Sequence, residues 1–142
     1  MFVHLNTHSI YSPMRGLLSL PEMMDLAKSC SMDTVALTDV NGLWGFIRFV
    51  QHCRSSRINP IAGVNLITNK QEVLILVENQ YGYENLCRII SSMHDEPNGD
   101  IPDILRKYHS GVFVLSYNIS TLKELSNFIP NSPLFVELRP GF

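Results

Sequence analysis

The strongest constraint on the fold of this chain is a regular alternation of short apolar segments with segments of helical periodicity. Apolar runs bounded by turn residues predict strands, and apolar residues that recur every three or four positions predict helices. The predicted strands cover residues 2–5, 34–38, 61–67, 73–77, 112–115 and 134–138, and the predicted helices cover residues 20–30, 46–53, 82–93, 101–108 and 122–128. The resulting order, β-α-β-α-β-β-α-α-β-α-β, predicts an α/β fold with mostly parallel strands, in an open sheet or a barrel.

Two local patterns support particular elements of this prediction. Ser19, Pro21 and Glu22 are typical of a helix start, because Ser caps, Pro suits the first turn and Glu occupies the capping-box position. The polar residues 68–71 join two strands directly, which predicts a hairpin inserted into the βα pattern.

Composition limits the class of protein. Of the 142 residues, 45% are hydrophobic and 17% are charged, which predicts a packed core and excludes a disordered chain. A net charge of −2 with a pI near 6.2 argues against a free-standing DNA-binding module, although a domain carried by a larger DNA enzyme stays possible.

The three cysteines contain no CxxC pair, so neither a disulfide framework nor a zinc ribbon is predicted. With no apolar run of membrane-spanning length and no signal peptide, we expect a cytoplasmic protein without membrane partners.

Polar residues that could carry chemistry follow the predicted strands, where the carboxyl ends of parallel strands gather functional groups. His8 and Asp39, after the first and second strands, have side chains that suit a metal ion. The other candidate positions are Asn6, Arg15, Val40, Asn65 and Asn118. Because a metal site needs three or four converging ligands, His8 and Asp39 alone do not establish one.

Structural roles remain open for the same residues. His8 could hydrogen bond to Asp39, Asp39 could cap the turn that follows it, and Arg15 could form an ion pair with Asp39.

Further along the chain, Trp44 is interpreted as a core or interface residue. The spread of basic residues at Lys28, Arg48, Arg54 and Arg57 is interpreted as a solvated face rather than a track for phosphates.

Six segments, in order along the chain, resemble the signature segments of one protein family. They are HLNTHSIYS at 4–12 (compare HLHxHSxYS), ALTDVNGL at 36–43 (ALTDHgnL), INPIAGV at 58–64 (IKPIIGvE), GYENLCRIIS at 82–91 (GYxNLcrLiS), GVFVLS at 111–116 (GLiaLSG) and FVEL at 135–138 (FYLEL). The family is the PHP (polymerase and histidinol phosphatase) domain, as found at the N-terminus of the bacterial DNA polymerase III alpha subunit, a C-family polymerase.

This resemblance implies a fold and a place in a longer protein. The family fold is a distorted (β/α)7 TIM-like barrel, of which residues 1–142 would form a single PHP domain supplying the first half to two thirds. A helix is expected after the strand at 134–138, so we expect the chain to be the N-terminal portion of a longer polymerase chain.

The resemblance also implies that most of the family's metal ligands are replaced. The family's first HxH histidine falls on Asn6, its acidic residue on Arg15, the histidine of its TDH motif on Val40, its glutamate on Asn65, and its later cysteine or histidine on Asn118. Only His8 and Asp39 keep the family type, and His94 lies near a further ligand position.

Such a set does not suit the zinc, manganese or magnesium of the family. Arg15 brings a positive charge, Val40 has no lone pair, and neutral amides are poor ligands for transition metals. We therefore expect no bound cofactor and no catalytic residue, with Asn6, His8, Arg15, Asp39, Val40, Asn65 and Asn118 as vestigial site positions.

The functional expectation is a non-catalytic PHP domain of a DNA polymerase III alpha subunit, which acts in DNA replication. The family places this domain beside the polymerase palm and thumb, and some members contact a proofreading exonuclease subunit; DNA would be reached only through the parent polymerase.

Two alternatives are a metal-dependent phosphoesterase or 3′-5′ exonuclease that uses a reduced site of His8, Asp39 and His94, and a stand-alone interaction protein. Whether the fragment itself is an enzyme, and whether the parent belongs to the replicative or the error-prone branch, stays open at this stage.

Overall fold

The computed structural model describes residues 2–97, 99–129 and 134–139. In this part of the chain there are five helices, α1 (Leu20–Ser29), α2 (Phe46–Ser56), α3 (Gln80–Asp95), α4 (Ile101–Tyr108) and α5 (Ile119–Ser126). There are five strands, β1 (Thr34–Leu37), β2 (Asn59–Ile67), β3 (Glu72–Val77), β4 (Val112–Ser116) and β5 (Leu134–Val136), in the sheet order β1-β2-β3-β4-β5. None of the described helices is both long and apolar enough to cross a membrane.

The predicted α/β class with mostly parallel strands is confirmed. The pair β1–β2 and the pair β4–β5 are parallel, while β3 and β4 are antiparallel. The chain divides into two compact units, Met1–Val64 and Asn65–Phe142, with the division inside β2.

The first unit is built around two helices and the β1–β2 pair, whose register runs from Thr34 opposite Asn59 to Leu37 opposite Ala62. Its apolar core is supplied by both helices, by β1 and by the residue that follows α2. The members are Leu20, Met23, Met24, Ala27, Val35, Leu37, Phe49, Cys53 and Ile58. Burial of these side chains is the main stabilising term of the unit, at roughly 1.5–3 kcal/mol for each large one.

The predicted strand at residues 2–5 is wrong as a regular strand. The segment still lies along β1, since the Ala36 and Thr38 amides donate to the carbonyls of His4 and Thr7 at 3.1 and 2.9 Å. The ladder is incomplete because side chains replace backbone partners. The Thr7 amide donates to Thr38 Oγ1 at 2.9 Å, and the Thr7 hydroxyl donates to the Ala36 carbonyl.

Helix α1 begins as predicted, with Glu22 accepting from the Ser19 amide at 2.8 Å and from the Ser19 hydroxyl at 2.6 Å. Both α1 and α2 end without glycine. Ser31 and Arg57 adopt left-handed backbone angles, with φ of 55° and 59°, and the next residues, Met32 and Ile58, donate back to the carbonyls of Ala27 and Cys53. This is the Schellman arrangement that usually employs glycine.

The second unit pairs β3 with β4 from Leu74 opposite Leu115 to Val77 opposite Val112, and β5 lies on the other side of β4. Gly82 lies at the start of α3 against the Gly111 carbonyl, where a Cβ would be only 1.7 Å from the oxygen, and Gly111 itself has φ +76°. Glycine is therefore required at both positions for α3 to approach the turn before β4.

Most predicted boundaries are confirmed within two residues, and two differ. Helix α5 begins at Ile119 rather than 122, because Asn118 caps it, and helix α2 ends at Ser56 rather than 53. Within the predicted loop 96–100, Asn98 lies outside the described residues, as do residues 140–142 beyond the last predicted strand.

Candidate functional site

A cleft of about 380 Å³ opens in the first unit between the N-terminal segment, β1 and α1. Three of the candidate positions, Asn6, His8 and Arg15, lie in its wall. Its remaining lining is supplied mainly by apolar side chains, among them Leu18, Met23, Leu26, Ala27, Met32 and Val35. The three candidates therefore line the same, mostly apolar cleft.

Asp39 is 1% exposed and lies immediately after β1 with its carboxylate turned back toward the N-terminal segment. Its Oδ1 accepts from the Ser9 amide at 2.8 Å and from the Ser12 hydroxyl at 2.6 Å, and its Oδ2 accepts from the Ser9 hydroxyl at 2.8 Å. Charge-assisted bonds of this length are among the stronger ones in proteins. The two structural alternatives for Asp39 are thus wrong: its described partners are Ser9 and Ser12, not the following turn and not Arg15.

Val40 belongs to the same arrangement through its backbone. Its amide donates to Ser12 Oγ at 2.9 Å, so the Ser12 hydroxyl joins the end of β1 at two successive residues. The loop that carries Ser9 and Ser12 is closed by Ser12 donating to the Ser9 carbonyl at 2.9 Å and by a bridge between Ser9 and Leu18.

Asn65 and Asn118 lie in the second unit. Asn65, 1% exposed in β2, donates from Nδ2 to Glu72 Oε1 at 3.0 Å. Asn118 is the N-cap of α5, and its Oδ1 accepts from the amides of Ser120 and Thr121 at 2.9 and 3.4 Å. His94 is exposed in the last turn of α3.

A partly buried polar network extends from Asn65 through Glu72. Arg139 Nη2 lies 2.9 Å from both Glu72 Oε1 and Glu137 Oε2, and its guanidinium stacks 4.2 Å from the centre of the Tyr117 ring. Partial burial alone would lower the pKa of Arg139, but its hydrogen bonds to Glu72 and Glu137 outweigh that effect and raise the pKa above its ordinary value. The guanidinium consequently stays charged at every accessible pH.

Sequence reasoning missed the residues that complete these arrangements. Ser9 and Ser12 were present in the HSxYS motif, but hydroxyls carry no periodic signal that identifies them as partners of a carboxylate 27 to 30 residues away. Glu72 and Arg139 are separated by 67 positions, and only the sheet order brings them together. Among the described residues there is no group of three or more His, Cys, Asp or Glu side chains placed to hold a metal ion.

One known protein family matches most of this chain. The family model of the PHP domain matches residues 4–128. This chain belongs to the PHP family. The match covers the N-terminal segment from His4, the arrangement around Asp39, the Asn65–Glu72 pair and α5, and it ends before Glu137 and Arg139.

Two curated relatives of this PHP domain are DNA polymerase III alpha subunits. That of Borreliella burgdorferi is 31% identical over 141 residues, covering 85% of this chain and 12% of the relative. That of Bacillus subtilis is 30% identical over 123 residues, covering 81% of this chain and 11% of the relative. The PHP domain thus matches the N-terminal region of these subunits and spans about an eighth of their length.

A solved structure supports the same fold. A two-domain protein from Bacteroides vulgatus, which contains a predicted PHP-like metal-dependent phosphoesterase, superposes with a TM-score of 0.59 at 14% identity. The superposition covers 97% of this chain and 38% of that protein. The PHP domain described here therefore has the TIM-like α/β fold of PHP-like phosphoesterases.

Proposed function

We propose that this chain is the N-terminal PHP domain of a DNA polymerase III alpha subunit and that it has a structural and interaction role rather than a catalytic one. The observation that carries the first part is the 31% identity to an alpha subunit along 85% of the chain. The second part depends on the side chains at the family's ligand positions.

The first unit supports the loss of a metal centre through Asp39. Both carboxylate oxygens already accept short hydrogen bonds from Ser9 and Ser12 in a buried setting. A metal ion at Asp39 would have to displace bonds that each contribute about 1.5–3 kcal/mol. Val40, the next position, offers no donor atom, and Arg15 in the same unit brings a positive charge where a cation would be repelled.

The second unit supports the same conclusion. Asn118 uses its oxygen to cap α5, and Asn65 donates to Glu72. Glu72 in turn holds Arg139, so a fixed guanidinium rather than a metal ion balances the local carboxylates. These residues do not fit a zinc, manganese or magnesium cluster.

A non-catalytic PHP domain would act through contacts. The resemblance implies that it supports the palm and thumb of its parent chain, contacts a proofreading exonuclease subunit, and meets DNA through that parent in the cytoplasm. Nucleotide transfer would be carried out by other parts of the parent.

Metal content tests the degenerate site. The purified 142-residue chain is dialysed against manganese and against zinc, and bound metal is measured by elemental mass spectrometry. We expect less than about one tenth of an equivalent, since the carboxylate and amide groups have protein partners. Near-stoichiometric metal that is lost in His8→Ala and kept in the control His52→Ala would reject the proposal.

That contrary result would favour a phosphoesterase or exonuclease with a reduced site of His8, Asp39 and His94. Hydrolysis of a chromogenic phosphodiester by the metal-loaded chain would then be the decisive assay.

The polymerase part has a separate test. The reading frame of the gene beyond Phe142 is expected to continue into polymerase sequence. A stop codon at that point would contradict the proposal and leave a stand-alone interaction protein.

A further inference from the structure

We propose that the outer face of α2, together with Trp44, binds single-stranded nucleic acid. This surface belongs to the first unit and uses none of the residues at the family's ligand positions. Its binding of nucleic acid does not depend on the proposed function. The surface is defined by Tyr11, Trp44, Arg48, Gln51 and Arg54.

Trp44 is 59% exposed, so of the two roles expected for it, core or interface, the core role is wrong. The indole is nevertheless held in place. Its Nε1 donates to the Val40 carbonyl at 3.4 Å, and its ring lies against Gly42, where a Cβ would be 2.3 Å from Trp44 Cε2. An exposed aromatic ring in a fixed orientation provides a surface on which an unpaired base can stack.

Arg48 lies in the first turn of α2 and is also oriented by a neighbour. Its Nη1 donates to the Tyr11 hydroxyl at 3.2 Å, while the Tyr11 ring lies against Gly45. Only one of the five N–H groups of the guanidinium is used in this bond, so the others can reach a phosphate.

The charged side chains of α2 are all of one sign. Helix α2 contains Arg48 and Arg54 and is followed by Arg57, and it contains no Asp or Glu. In the part of the chain that the structure describes, no carboxylate forms an ion pair with any of these three arginines. By contrast, Arg88, Arg106 and Arg139 of the second unit all pair with carboxylates. Positive charge that the protein does not neutralise is available to an anionic partner.

Helical geometry places these groups on one face. Phe49 and Cys53 are buried, whereas Ile47, Arg48, Gln51 and Arg54 are exposed. At 100° per residue, Gln51 lies along the middle of the exposed face of α2, with Arg48 on one side and Arg54 on the other, and Trp44 lies in the turn that precedes the helix. From Phe46 to Arg54 the helix rises about 12 Å, which accommodates about two extended nucleotides.

Single-stranded nucleic acid fits this surface better than an acidic peptide or a duplex. An acidic peptide would use the arginines but not an exposed, oriented indole. A duplex offers phosphates, but its bases are stacked on one another and unavailable to Trp44. The combination of an aromatic platform with flanking arginines is matched by bases and phosphates of one strand.

The chain contains its own probe, because Trp44 is the only tryptophan. The 142-residue protein is titrated with oligo-dT, oligo-rU, a dA·dT duplex and poly-glutamate at low salt, and the quenching of Trp44 fluorescence is followed. Anisotropy of labelled oligonucleotides gives the affinity of the variants. We expect saturable quenching by single strands, weaker binding of the duplex, and no quenching by poly-glutamate; the two single strands separate DNA from RNA as the preferred ligand.

Charge reversal gives the matched comparison. Arg48→Glu with Arg54→Glu is expected to weaken oligo-dT binding at least about tenfold and to reduce the salt slope by about 1.4, since each of the two phosphate contacts contributes roughly 0.7 for a single strand. Lys70→Glu with Lys107→Glu changes net charge equally on the second unit and is expected to change affinity less than about threefold.

Trp44→Ala is expected to weaken binding about tenfold, as stacking of one base contributes about 1–3 kcal/mol, whereas Trp44→Phe retains most of it. Circular dichroism verifies that each variant is folded. The proposal is overturned by absence of saturable binding, by equal effects of the two charge reversals, by equal binding of poly-glutamate, or by an unchanged affinity in Trp44→Ala.

Discussion

At the scale of single residues, Asp39 is a structural centre of the first unit. Three donors from two serines surround it, and the Ser12 hydroxyl also accepts from the Val40 amide. The carboxylate therefore fixes the loop of residues 9–12 against the end of β1. The type of this residue could be predicted from the TDxxG-like sequence, but its partners could not, because hydroxyl positions depend on how the loop closes.

Replacing Asp39 by Ala should destabilise the protein by about 3 kcal/mol, since one buried amide and two hydroxyls lose their acceptor. Urea unfolding measures the change. Asp25→Ala, at an exposed position of α1, is the control and is expected to stay within about 0.5 kcal/mol. Equal effects of the two variants would show that the bonds to Asp39 contribute nothing specific.

Cys53 gives a pH prediction. Burial raises the pKa of its thiol from 9.0 to about 11. The folded state thus favours the neutral thiol. The contribution of the Cys53 thiol to stability is fully present below pH 9 and is lost as the pH rises toward 11, because in that interval the thiol ionises only in the unfolded chain. Urea midpoints under reducing conditions should decline more steeply from pH 9 to 11 in the native chain than in Cys53→Ala; parallel curves would contradict this.

At the scale of elements, sequence reasoning succeeded where the signal is local. The Ser19, Pro21 and Glu22 pattern gave the start of α1, and apolar periodicity gave α2, α3 and α4. It failed for the first strand, where threonine side chains replace ladder bonds, and for the start of α5. In the latter case Asn118 was considered only as a lost ligand, although Asn followed by Ser and Thr is also a helix cap.

Restoring a family-type residue at Asn118 should therefore have an energetic cost. Asn118→His is expected to lower stability by about 1 kcal/mol because α5 loses its cap, while Asn118→Asp keeps an accepting oxygen and stays within about 0.3 kcal/mol. Thermal unfolding compares the three proteins. If the histidine variant were as stable as the native chain, the capping bonds to Ser120 and Thr121 would be unimportant.

At the scale of the whole molecule, the two compact units differ in how they are held together. The first unit has an apolar core and the Asp39 arrangement; the second adds a charged network that joins β2, β3 and the residues after β5. The alternation of elements predicted the α/β class and the parallel strands. The network could not be predicted, because it depends on which strands become neighbours.

Arg139→Met should destabilise the protein by about 2 kcal/mol, as it leaves Glu72 and Glu137 with unbalanced charge in a setting where their side chains are only 11% and 15% exposed. Arg106→Met is a matched control, since Arg106 also pairs with a carboxylate and stacks 4.2 Å from a ring but is 60% exposed. It is expected to change stability by less than about 1 kcal/mol in urea unfolding.

The left-handed residues that end α1 and α2, Ser31 and Arg57, limit the number of substitutions that this sequence can accept. Each places a side chain in a backbone conformation that favours glycine, which lowers the stability of the fold by about 1 kcal/mol. Ser31→Gly would recover that stability at the first position. A domain that operates near its stability threshold tolerates fewer later substitutions, so two such positions reduce the number of neighbouring sequences that still fold. Of the two, Ser31 is the position where a protein engineer could widen that range without altering the core or any charged group.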